Sequence, residues 1–106
     1  REIFNVNYLI SNENLKIKKS EHWDGHWRLS LFDIPETKKA ARGALVFKLK
    51  DLGFVKFNNS VWIYPYECQK EIDFVAEVFE VGKYVHYLTA KSITNEKQLM
   101  SKFGLN

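Results

Sequence analysis

Residues 27–36, Trp-Arg-Leu-Ser-Leu-Phe-Asp-Ile-Pro-Glu, alternate like a β-strand and then meet a proline where a helix can open. Pro35 holds Ile34 extended, and its missing N–H would go unpaired in a first helical turn anyway. The spacing predicts a helix over 36–52, with Ala41, Ala44, Leu45, Leu49 and Leu52 on its inner face and Gly53 as its stop. Residues 54–57 and 60–66 read as strands joined by Asn58-Asn59, a pair that tolerates positive φ in a tight hairpin. A second helix is expected over 69–80 on the stripe Ile72, Val75, Ala76 and Phe79, with Gly82 ending it. Residues 84–90 are β-branched and aromatic, a fourth strand. The order is βαββαβ, an α+β, ferredoxin-like pattern in which two helices cover one face of a four-stranded antiparallel sheet.

The flanks are shorter pieces. Phe4, Val6 and Tyr8 alternate with asparagines ahead of a polar turn and a basic connector containing Lys16, Lys18 and Lys19. We read 1–22 as an N-terminal segment or linker and 23–106 as the domain. Asp24-Gly25 marks a reversal before the first strand. After the last strand, Thr94 or Asn95 can cap a short C-terminal helix carrying Leu99, Met100 and Phe103, closed by Gly104.

Composition narrows the functional classes. A chain of 106 residues with 45% hydrophobic and 15% aromatic content can bury one real core. No apolar run approaches the roughly 20 residues that span a bilayer, and no signal-peptide pattern opens the chain, so a cytoplasmic protein with no membrane partner is expected. The single cysteine, Cys68, excludes an internal disulfide framework and a thiolate zinc site. A net charge of only +3 argues against a strongly basic nucleic-acid glove.

A sheet with both helices on one side leaves the other side bare. Strands three and four carry apolar and aromatic residues on both faces, so the second face needs a cover. A second copy of the chain is the simplest one, with Trp62, Tyr64, Tyr84 and Leu88 as the expected dimer interface. The N-terminal segment folding across the face is the alternative.

Asp33 stands at the end of the first strand, just before the helix. It can cap or electrostatically favour that helix, or it can hold Mg²⁺ as one of two carboxylates paired across a dimer axis. Lys38, Lys39 and Arg42, with Lys48 and Lys50, give the first helix a positive side. These residues, the connector lysines, and Arg28 if its strand face is open are candidates for phosphate contact.

Trp23-Asp24-Gly25, Phe32-Asp33-Ile34-Pro35-Glu36, Ala41-Arg42, Leu49 through Phe54 and Ser60 through Tyr66 together resemble the Cas-two-like domain of the PaaX-like transcriptional repressors. More distantly, they are similar to the small CRISPR-associated Cas two proteins of spacer adaptation. The resemblance implies a ferredoxin-like domain that homodimerises through its sheet and follows a winged-helix DNA-binding domain lying outside this chain. Its first implied function is therefore that of a dimerising domain in a DNA-binding transcriptional regulator. The alternative is a Mg²⁺-dependent endonuclease acting on RNA or DNA, or a non-catalytic CRISPR adaptation subunit. For a nuclease, the resemblance assigns the catalytic metal ligand to Asp33, and it places Ser60 near nucleic acid. Asn58 stands where the family commonly has glutamine, and Val46 and Phe47 stand where arginines are common.

Overall fold

The computed structural model describes residues 15–105, so the alternating stretch around Phe4 to Tyr8 lies outside the described residues. The elements are β1 (Trp27–Phe32), α1 (Lys39–Leu52), β2 (Val55–Asn58), β3 (Val61–Tyr64), α2 (Gln69–Val78), β4 (Val85–Ala90) and α3 (Glu96–Lys102). The sheet order is β2-β3-β1-β4, and every neighbouring pair is antiparallel. This is the ferredoxin-like βαββαβ arrangement with a short C-terminal helix added.

Several boundaries differ from the sequence reading, each for a local reason. The first helix opens as a 3₁₀ turn, Glu36–Lys38, because Pro35 is extended at ψ 156 and Lys38 breaks out of helical geometry at φ −117, ψ 33. The second helix stops before Gly82, since Glu80 already turns left-handed at φ 58. Tyr84 then belongs to a 3₁₀ turn, Gly82–Tyr84, and not to the fourth strand. The hairpin asparagines do not use positive φ. Instead the register slips between Lys56 and Asn58, and the Asn58 side chain accepts the Ser60 N–H at 2.9 Å.

Strand alternation sorts the core. Phe32, Trp62 and Tyr64 point toward the helices and pack with Ala41, Leu45, Leu49, Ile72 and Val75. Gly53, which ends α1 at φ 105, lies so close to Tyr64 that an added Cβ would stand 3.0 Å from its ring. Lys48, counted by sequence on the exposed positive side of α1, is instead buried, and its ammonium reaches Asp51 at 2.9 Å.

The opposite face is built from Leu29, Leu31, Val61, Ile63 and Leu88, as the register Leu29↔Ile63, Leu31↔Val61 and Leu29↔Leu88 requires. Its Trp27 end is covered. The Trp27 indole N–H donates to Glu96 of α3 at 3.0 Å, and its ring lies 4.7 Å from Trp23 and 5.9 Å from Phe103. The far end stays open, with Leu88 45% and Phe57 57% exposed.

A candidate nucleic-acid interface

The geometry of one end of the sheet begins with two hydrogen bonds from the end of β1. The Phe32 N–H donates to the Ser60 carbonyl at 3.0 Å, and the Asp33 N–H donates to the Tyr84 carbonyl at 2.9 Å. These bonds fasten Asp33 between the β2–β3 hairpin and the turn before β4. The Asp33 side chain is exposed and has no hydrogen-bond or ionic partner among the described residues. It does not act as a side-chain cap: the turn that opens at Pro35 has no side-chain cap bond.

Beside it, the first turns of α1 approach the hairpin. Lys39, Arg42, Gly43 and Val46 from the helix, with Asn59 and Ser60 from the turn, enclose a groove of about 380 Å³. Three of the residues singled out from sequence, Lys39, Arg42 and Ser60, therefore share one wall-and-floor arrangement. Gly43 has open space where a Cβ would be, which keeps the groove mouth clear. Arg42 is held toward Glu36 at 3.4 Å, a long, exposed pair that stabilises little and leaves the guanidinium available. Lys38, half-buried in the 3₁₀ turn, does not line the groove.

The connector lysines lie elsewhere. Lys16 and Lys19 join Lys102, Tyr66 and Phe103 around a cleft of about 530 Å³ at the other end of α1, while Lys18 is exposed outside it. The groove takes Lys39, Arg42, Gly43 and Val46 of α1 and the cleft takes Asp51 and Leu52, so about 15 Å of helix axis separates Arg42 from the cleft. They do not form one site.

Arg28 is a correction. It is only 6% exposed, because its β1 position faces the helix layer. Its guanidinium donates to both Asp24 oxygens at 2.9 and 2.7 Å and to the carbonyls of Pro65 and His26 at 2.9 and 3.1 Å. Asp24 also accepts the His26 N–H at 2.9 Å, so the Asp-Gly turn is tied to β1 and to the end of β3. The hydrogen bonds from Arg28 hold the Asp24 carboxyl down at about 2, and the Asp24 carboxylate in turn pushes the Arg28 pKa up. With both terminal nitrogens bonded inside the protein and Nε buried without a hydrogen-bond partner, Arg28 fastens the Asp-Gly turn to the sheet and lacks the open strand face that phosphate contact needs.

The expected interface residues divide in the same way. Trp62 and Tyr64, each 3% exposed, lie in the core beneath the helices, because strand parity turns them away from the bare face. Tyr84 is half-buried in its turn, packed against the core edge. Only Leu88 lies on the open face. Leu29, Leu31 and Val61 complete it, and the alternation of β1 was the signal that could have found the first two.

No carboxylate, histidine or cysteine cluster among the described residues makes up a metal site within one chain. Asp33 supplies one hard oxygen ligand, so a Mg²⁺ site of the kind sequence raised needs a second carboxylate from another copy. Cys68 is buried, and burial pushes its thiol up to about 12, far from nucleophilic range. No helix of the described chain is long and apolar enough to cross a membrane.

A four-stranded antiparallel sheet carrying two helices on one face, with an acidic strand end beside a basic groove, defines a ferredoxin-like α+β domain. The chain belongs to the family described as the PaaX protein central Cas2-like domain, whose model matches residues 20–100. No curated protein and no solved structure matches the chain.

Proposed function

We propose that this chain is the homodimerising central domain of a PaaX-like DNA-binding transcriptional regulator. The observation that carries this reading is the open end of the sheet, where Leu29, Leu31, Val61, Leu88 and Phe57 form an apolar patch that α3 leaves uncovered. A second copy meeting it face to face buries both patches at once, since a two-fold contact uses the same surface twice. In this reading sequence-specific DNA contact belongs to a winged-helix region outside this chain, and Lys39, Arg42 and Ser60 add sequence-blind phosphate contact. Sedimentation over a concentration series tests it. The wild type is expected to sediment as a dimer at tens of micromolar, and Leu88→Lys as a folded monomer. A wild type that stays monomeric overturns the reading.

A second reading rests on Asp33, whose free carboxylate stands beside the basic groove. Two such carboxylates across a dimer axis could hold Mg²⁺, which would supply charge stabilisation at a phosphodiester. Cleavage of labelled RNA and DNA with Mg²⁺ or EDTA decides it. Cutting that depends on the metal and is lost in Asp33→Asn makes the domain a nuclease. Intact substrate in the presence of folded dimer returns it to assembly.

A further inference from the structure

The two edges of the sheet are treated differently. β2 is four residues long, carries Lys56 and contains the register slip before Asn58, all devices that discourage another strand from pairing there. β4 is six residues long, Val-His-Tyr-Leu-Thr-Ala, with an unbroken register to β1 and no lysine, carboxylate or proline. No described strand pairs on its outer side.

The hydrogen-bond phase of that edge follows from one bond. Asp33 N–H donates to Tyr84 O, and residues 33 and 84 lie on the same register as Phe32↔Val85 and Leu31↔His86. Antiparallel ladders alternate, so His86, Leu88 and Ala90 spend their backbone groups on β1. Tyr87 and Thr89 therefore turn their N–H and C=O groups outward, and Val85 its C=O, while the Val85 N–H is already taken by the Gly82 carbonyl. The same phase gives β1 the reverse alternation toward β3, in agreement with the Phe32 N–H bond to Ser60.

Beside this edge, α2 and β4 enclose a groove of about 410 Å³. Its floor is apolar, with Ile72, Ala76, Val85 and Tyr87. Its rim is acidic, with Asp73, Glu77 and Glu80, and no basic residue lines it. A side chain with an aliphatic stem and a cationic head fits both parts, the stem on the floor and the head at the carboxylates.

We propose that β4 is a docking edge for an extended basic peptide of a partner protein, which adds to the sheet as a fifth strand. Backbone bonds to the Val85 carbonyl and to Tyr87 and Thr89 supply the pairing, and alternate lysine or arginine side chains of the peptide enter the acidic groove. The intervening side chains fall on the opposite face beside Leu88, so apolar residues suit those positions. The charge of the rim favours a basic partner strand over an added copy of β4 itself, which carries no fixed positive charge.

The probe is a short synthetic peptide alternating lysine with valine, titrated into the ¹⁵N-labelled chain. The expected result is slowed hydrogen exchange at the Tyr87 and Thr89 amides, with no binding of the matching glutamate–valine peptide. N-methylation of alternate peptide residues leaves the protein untouched and removes the pairing, and is expected to weaken binding about three- to tenfold per lost bond. Asp73→Lys with Glu77→Lys, both at exposed positions, is expected to abolish the preference for lysine over glutamate. Binding that shifts only α2 resonances, with the β4 amides unprotected and N-methylation without effect, overturns the proposal. So does protection of the same amides that grows with protein concentration alone, which assigns the edge to a second copy.

Discussion

At the residue scale, Arg28 is the most informative side chain. A cation in a strand invites a phosphate-binding reading, but its environment decides the matter: a buried guanidinium must be matched by acceptors, and Asp24, Pro65 and His26 provide them. Because the folded-state pKa of Asp24 is depressed to about 2 from 3.8, its contribution is fully present above the unfolded carboxylate range. That stability is lost as pH falls from about 4 toward 2. Urea denaturation at pH 6 and pH 2.5 should show this loss in the wild type, and Asp24→Asn should remove much of the difference. At neutral pH the same substitution is expected to destabilise by about 1–3 kcal/mol, because it leaves the buried Arg28 charge less well paired.

At the scale of elements, the glycine at the end of α1 determines how closely the helix approaches β3. Gly53 adopts φ 105 and offers its N–H to the Lys50 carbonyl at 3.0 Å, while Phe54 N–H reaches Leu49 O at 2.9 Å. Tyr64 occupies the space a side chain would take, and it stacks on Phe54 with ring centroids 5.0 Å apart. Gly53→Ala therefore combines a strained backbone angle with a displaced aromatic ring. A loss of about 1–3 kcal/mol is expected, read from the urea midpoint at unchanged slope. Gly25, although also at positive φ, has open space at its Cβ position, so Gly25→Ala carries the backbone strain alone.

At the scale of the whole molecule, the two faces of the sheet have different covers. The helix face is closed within one chain by α1 and α2. The other is closed only at its Trp27 end, where Trp23, Glu96 and Phe103 gather. Leu88→Lys puts a charge into the remaining apolar patch without touching the helix-face core. It should leave the urea stability of the monomer nearly unchanged while weakening association, a split that separates interface from core effects. Trp62 and Tyr64, expected from sequence to serve the interface, would instead lower stability on truncation to alanine, by about 3–5 kcal/mol for Trp62.

The element order, the inner faces of both helices and the stop at Gly53 were legible because each depends on short-range rules: apolar spacing, the fixed φ of Pro35 and the freedom of glycine. The positions of the functional candidates were not, because a strand reads equally well with either face inward until something covers one. Parity made Trp62 and Tyr64 partners of each other by sequence alone, but only the packing of α1 and α2 showed that they lie in the core and Leu88 outside it. The basic residues were recognisable by type. Whether each met solvent, as Lys39 does, or an acceptor in the interior, as Arg28 does at the Pro65 carbonyl, was decided by contacts between residues far apart in the chain.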